Sequence, residues 1–61
     1  MNKEQIQKVK EYLKLKSDNI VAKNMLKTIT ELEINDFEKN KNLITSIIEM
    51  NISKHILDKI L

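Results

Sequence analysis

The chain contains no glycine and no proline in 61 residues. Glycine supplies the positive φ angles of tight hairpin turns and proline fixes the corners of others, so a β-rich fold is hard to build without them. Helices separated by short asparagine, aspartate and serine breaks need neither residue. The sequence therefore predicts an all-α fold, a small bundle of three to four short helices that ends in a helix-turn-helix hairpin.

The length allows one helical domain, residues 1–61, close to the lower limit for independent folding. The chain has no cysteine, which excludes disulfides and thiolate metal sites. Its single histidine and scattered carboxylates form no pattern of metal ligands, so we expect no metal and no cofactor. A core this small supplies only a few kcal/mol, about 3–5 at most. We therefore expect that a protein partner or a second copy of the chain buries further apolar surface.

The first helix is predicted from its start signal and its apolar spacing. Asn2 suits an N-cap, and Gln5 three residues later completes a capping box. Ile6, Val9 and Leu13 follow at helical spacing. Because this stripe is narrow, we expect the first helix to cover the core and not to form its centre.

A second helix is predicted from about residue 18 to residue 33, after a break at Ser17. Nothing at Ser17 forces a break as proline would, so one long continuous helix remains the alternative. The apolar positions of the second helix form a broad stripe that suits the centre of a bundle. They are Val21, Met25, Leu26, Ile29 and Leu32.

The third and fourth helices are predicted around Asn35 and Ser53, each of which can act as an N-cap. Asn51 tolerates the left-handed conformation that ends many helices, so we expect a Schellman ending there. The predicted inward residues of the third helix are Phe37, Leu43, Ile44, Ile47 and Ile48, and those of the fourth are Ile56, Leu57, Ile60 and Leu61. The predicted outward residues of the fourth helix are Lys54, His55, Asp58 and Lys59.

The hairpin resembles the helix-turn-helix of DNA-binding regulators. That motif has a small residue, a turn glycine and two aliphatic residues at positions held here by Ile47, Asn51, Leu57 and Ile60. The resemblance implies that the exposed residues of the last helix face the major groove or phosphates, and these are Lys54, His55 and Lys59. However, the chain has no arginine, and the basic excess lies in residues 1–16, which carry five lysines and two glutamates.

The same hairpin also resembles the dimerisation hook of SinI-type anti-repressors. In that family Asn-Ile-Ser joins a longer helix to a shorter one that ends in aliphatic residues, and two hooks interlock. Asn51-Ile52-Ser53 occupies the linker here. The early tryptophan of the hook is missing, and Phe37 is the nearest aromatic residue. The resemblance implies binding between proteins through interlocking apolar residues.

A third resemblance is to small helical antitoxins that block Fic-type enzymes. These carry a serine or threonine followed four residues later by an inhibitory glutamate. Thr28 has Leu32 at that position, so the inhibitory group is absent.

Taken together, these patterns predict a small non-enzymatic regulator that binds a protein partner, itself included, as an inhibitor, anti-repressor or antitoxin-like protein. The predicted interface residues are Ile44, Ile47, Ile48, Ile52, Ile56, Leu57, Ile60 and Leu61. The alternative is a DNA-binding regulator that uses Lys54, His55 and Lys59. We expect no catalytic residues, no small-molecule substrate, no membrane span and a cytoplasmic location.

Overall fold

The computed structural model, which describes residues 1–61, is all-helical, as the composition predicts. It has three helices: α1 (Lys3–Leu15), α2 (Ile20–Asn51) and α3 (Lys54–Ile60). Residues 16–19 between α1 and α2 are not helical, so the alternative of one continuous helix through Ser17 is wrong.

The long helix α2 folds back on itself at Asp36. That residue has an extended backbone, with φ −168° and ψ 98°. A straight helix of 32 residues would be about 48 Å long, whereas the longest dimension of the molecule is 26 Å. Asp36 therefore divides α2 into an N-terminal half, residues 20–35, and a C-terminal half, residues 37–51, which lie side by side.

Two of the predicted helix caps are confirmed. Asn2 Oδ1 accepts a hydrogen bond from Gln5 N at 2.8 Å, and Gln5 Oε1 accepts one from Asn2 N at 2.9 Å. Ser53 Oγ accepts a hydrogen bond from Ile56 N at 3.3 Å and caps α3. At the start of α2 the cap is Asn19, so this helix begins two residues later than predicted, at Ile20.

The other two predicted helix boundaries need correction. Asp36, not Asn35, is the capping residue at the kink, because it has the extended backbone and its carboxylate accepts from Lys39 N at 3.1 Å. Asn51 is helical, and no residue has a positive φ, so the predicted Schellman ending is wrong. The chain instead leaves α2 through an extended Ile52, whose side chain enters the core.

The core is one cluster of ten buried residues, all of them apolar. α1 contacts both α2 and α3, and its Ile6, Val9 and Leu13 are at most 2% exposed. The expectation that α1 only covers the core is therefore wrong, because helices approach its narrow stripe from two sides. The remaining core residues are Ala22, Met25, Ile29, Ile44, Ile48, Ile52 and Leu57.

Several residues predicted to face inward lie closer to the surface. Val21 is 56% exposed while its neighbour Ala22 is buried, so the start of α2 is rotated by about one position from the predicted orientation. Leu43 is 50% exposed and Leu61 42% exposed. Six others are partly buried against the core: Leu26, Leu32, Phe37, Ile47, Ile56 and Ile60.

Candidate functional site

The eight predicted interface residues fall into two groups. Ile44, Ile48, Ile52 and Leu57 belong to the core of the chain itself, and none is more than 7% exposed. Ile44 and Ile48 are fully buried, whereas Ile52 and Leu57 keep a small exposed fraction where they line surface depressions. The other four are Ile47, Ile56 and Ile60, which are half-buried, and Leu61, which is exposed. The folded chain therefore offers a partner mainly the second group, and Ile52 and Leu57 only where they line a depression.

The sequence pattern predicts only part of an apolar stripe on the outer face of α2, since it includes Leu43 and Ile47 but not Met50. Leu43, Ile47 and Met50 are spaced i, i+4 and i+7 and share one face of the C-terminal half of α2. Leu43 is 50% and Met50 83% exposed, and Ile47 is half-buried. We name these three residues the outer stripe. The inner face of the same segment is a different apolar series, Ile44 and Ile48, and both are fully buried.

The two halves of α2 leave a groove beside the outer stripe. Its inner part is a depression of about 340 Å³, into which Ile47 projects from one half of α2 and Val21 and Met25 from the other. An adjoining depression of about 350 Å³ shares Val21, Met25 and Asn51 and extends to the end of α1. We name the two together the α2 groove. Ile47, Ile52 and Ile56 of the predicted interface line it.

Local interactions hold the walls of the α2 groove. Asn19 Oδ1 accepts hydrogen bonds from Val21 N and Ala22 N, which sets where α2 begins and leaves Val21 at the surface. Asn51 Nδ2 donates to Ile47 O at 2.7 Å and closes the last turn of α2. At the α1 end, the Lys16 ammonium lies 5.8 Å from the centre of the Tyr12 ring.

The α2 groove is apolar with one charged lining residue. Lys16 is the only charged side chain among its lining residues, and no carboxylate is present. The remaining polar groups are the Tyr12 hydroxyl and the side chains of Asn19, Asn24, Thr28, Asn51 and Ser53. Such a surface can bury apolar side chains and accept a few hydrogen bonds at its rim.

The residues predicted for DNA binding lie on the surface of α3. Lys54, His55 and Lys59 are all exposed. Asp58 is exposed on the same helix and lies one turn after Lys54, so the face carries both signs of charge. Lys54 and Asp58 also line a third depression, of about 510 Å³, together with Leu57 and Leu61.

No group of three or more histidine, cysteine, aspartate or glutamate side chains is positioned to hold a metal ion. None of the three helices combines the length and the apolar content that a membrane crossing requires.

Comparison with known proteins gave no relative: no protein-family model, no curated protein and no solved structure matches the chain. What the surface can bind is therefore inferred from its own geometry and charge.

Proposed function

We propose that the chain is a small non-enzymatic regulator, of the inhibitor, anti-repressor or antitoxin-like kind, that acts by binding a protein through the outer stripe and the α2 groove. The observation that carries the proposal is the outer stripe, three apolar side chains on one helix face with no covering element. Contiguous apolar surface of this kind marks sites of protein association. A groove beside a helical stripe suits recognition of a partner helix.

In this proposal the C-terminal half of α2 and α3 act together as the hairpin that presents the site. Four buried residues of the hairpin pack it against the rest of the chain: Ile44, Ile48, Ile52 and Leu57. Ile47 and Ile56, the accessible members of the predicted interface that line the α2 groove, make the contact. A second copy of the chain is one candidate partner, because the exposed stripe of one copy can pack on that of another.

The alternative is DNA binding by α3 through Lys54, His55 and Lys59, all of which are exposed. The two functions respond differently to salt. Counterion release weakens DNA binding by about tenfold or more between ~50 and ~200 mM salt when several phosphates are contacted. Apolar contacts between proteins hold or strengthen over that range.

A pull-down from the source cells, with and without nuclease and at both salt concentrations, tests the proposal. We expect a discrete protein that is retained under all four conditions and is lost with Met50→Asp. Ile34→Asp is the matched control, because Ile34 is 80% and Met50 83% exposed, while Ile34 lies beside the kink near the middle of α2, outside the outer stripe and the α2 groove. This control should retain the partner.

Recovery of nucleic acid alone, lost at higher salt and weakened by Lys54→Ala and Lys59→Ala, would contradict the proposal. Sedimentation of the purified chain over a range of concentrations tests whether a second copy of the chain is the partner. A dimer that Met50→Asp dissociates and Ile34→Asp preserves would identify the chain as its own partner.

A further inference from the structure

We infer that the chain has a second folded form, a dimer in which two copies exchange residues 37–61, and that Asp36 sets the balance between this dimer and the monomer. In the dimer α2 is straight. The C-terminal half of α2 and α3 of each copy pack on α1 and the N-terminal half of α2 of the other copy. The exchange does not use the outer stripe, so it is independent of the proposed function.

The connection between the exchanged parts is a single residue. Asp36 is the only residue of α2 whose backbone angles are not helical. Sharp kinks usually occur at proline or glycine, but the chain contains neither. Aspartate is tolerated in a helix interior at a cost well below that of proline, so nothing in the covalent structure prevents α2 from straightening. Very short connections between packed elements favour exchange between copies.

Side-chain hydrogen bonds hold the kink. The Asp36 carboxylate accepts from Lys39 N at 3.1 Å, and Asn40 Nδ2 donates to Leu32 O at 3.0 Å. In a straight helix the backbone N–H and C=O groups of these residues pair with each other four residues apart. Straightening therefore leaves no backbone group of the hinge without a partner, but it removes the capping bond of Asp36.

A straight α2 presents the buried residues of both halves on one face. At about 100° per residue they fall within an arc of about 140°, and they are Ala22, Met25, Ile29, Ile44 and Ile48. In the monomer the two halves lie side by side and run in opposite directions. Two straight helices packed antiparallel repeat this arrangement twice, because the N-terminal half of each faces the C-terminal half of the other.

The surfaces that open on straightening fit only the chain itself. Six of the ten core residues precede Asp36 and four follow it, so separating the two parts exposes apolar side chains on both. A second copy covers them with the same residues as in the monomer. Polar contacts also re-form between copies: Met1 N donates to Thr45 Oγ1 at 3.1 Å, and the Lys3 ammonium lies 5.6 Å from the centre of the Phe37 ring.

The Asp36 carboxylate favours the monomer in two ways. It caps the C-terminal half of α2 only when the helix is kinked. Asp36 also lies at the middle of α2, on the face that carries the core residues. The two-fold axis of the dimer passes near this point, so the carboxylates of the two copies approach each other, and like charges oppose association. Removing the carboxylate should therefore shift the balance toward the dimer.

Sedimentation equilibrium after refolding at a range of protein concentrations measures this balance. Asp36→Ala should raise the dimerisation constant about 30-fold or more, because each dimer contains two hinges and each loses a cap. Asp36→Gly removes the same carboxylate but disfavours a straight helix, so its dimerisation constant should be about 20-fold or more below that of Asp36→Ala. Asn35→Ala is the control and should leave the constant nearly unchanged, since Asn35 is already helical.

Cross-linking distinguishes exchange from side-by-side association. The chain has no cysteine of its own. Asn24→Cys and Ile47→Cys place one thiol on each half of α2, at the same depression. After rapid dilution, a short bismaleimide should join them within one chain in the monomer and between two chains in the exchanged dimer. With Asp36→Ala added, we expect a covalent dimer on a denaturing gel, and none from either single-cysteine variant.

Each other result overturns the inference. Asp36→Ala that stays monomeric at every concentration excludes the exchange. Equal dimerisation of Asp36→Ala and Asp36→Gly shows that the dimer contains no straight α2. A dimer whose cross-links stay within each chain is a side-by-side association. Met50→Asp separates the two proposals, because it should abolish binding through the outer stripe and leave the exchange unchanged.

Discussion

At the scale of single residues, one ion pair ties α1 to the N-terminal half of α2. Lys10 Nζ lies 2.7 Å from Glu33 Oε1, and both side chains are 16% exposed. The contact is an ion pair without regular hydrogen-bond geometry, and no other donor reaches that buried oxygen. Charges taken out of water in this way depend on each other, because the loss of one leaves the other uncompensated.

We expect Lys10→Met to lower the free energy of unfolding by about 1–3 kcal/mol, since Glu33 is left buried without its cation. The double variant Lys10→Met/Glu33→Leu should recover most of that loss, because no charge then remains to be desolvated. Urea denaturation followed by circular dichroism measures both values. Lys8→Met, at an exposed position, is the control. A double variant no more stable than Lys10→Met would contradict this account.

At the scale of helices, the kink at Asp36 determines how the two halves of α2 pack against each other. The Asp36 carboxylate caps the C-terminal half, and Asn40 Nδ2 donates to Leu32 O at 3.0 Å across the kink. These two side chains satisfy backbone groups that a continuous helix would have satisfied itself. The kink brings Ile29 and Ile44 into one core and creates the α2 groove between the halves.

Asp36→Ala should lower the free energy of unfolding by about 1 kcal/mol, the usual cost of removing an N-cap side chain. Asn35→Ala is the matched control, because Asn35 is exposed and precedes the cap. It should change stability by less than ~0.5 kcal/mol. Thermal unfolding of the two variants side by side tests the assignment of the cap. A larger loss from Asn35→Ala would show that the cap is Asn35 after all.

At the scale of the whole molecule, stability comes from one cluster of ten buried residues. A core of this size supports a net stability of about 3–5 kcal/mol at most. All three helices contribute to it, and α3 contributes Leu57, its only buried residue. The loss of any one helix from the cluster therefore removes a large share of the total.

We expect Leu57→Asp to unfold the chain at room temperature, because an unpaired carboxylate in this core costs several kcal/mol, comparable to the whole stability. His55→Asp introduces the same group at an exposed position of the same helix and should leave the chain folded. Circular dichroism and the melting temperature distinguish the two. An unchanged melting temperature for Leu57→Asp would mean that the residue is not part of the core.

Local interactions explain what the sequence by itself determined. The absence of glycine and proline predicted the all-α fold, and the capping box of Asn2 and Gln5 and the cap at Ser53 were predicted correctly. The spacing of Ile6, Val9 and Leu13 identified the buried face of α1. Each of these features depends on residues within one or a few helical turns, so the sequence pattern contains all the information needed.

The tertiary structure alone decided which of two adjacent apolar residues is buried. Ala22 is buried and Val21 exposed, and Ile44 is buried while Leu43 is half exposed. Helical periodicity cannot separate such neighbours, because the line along which the next helix crosses selects between them. The outer stripe exists for the same reason: the packing of the two halves of α2 turns Ile44 and Ile48 into the core and leaves Leu43 and Met50 outside. The candidate site is thus a consequence of packing, which no local pattern contains.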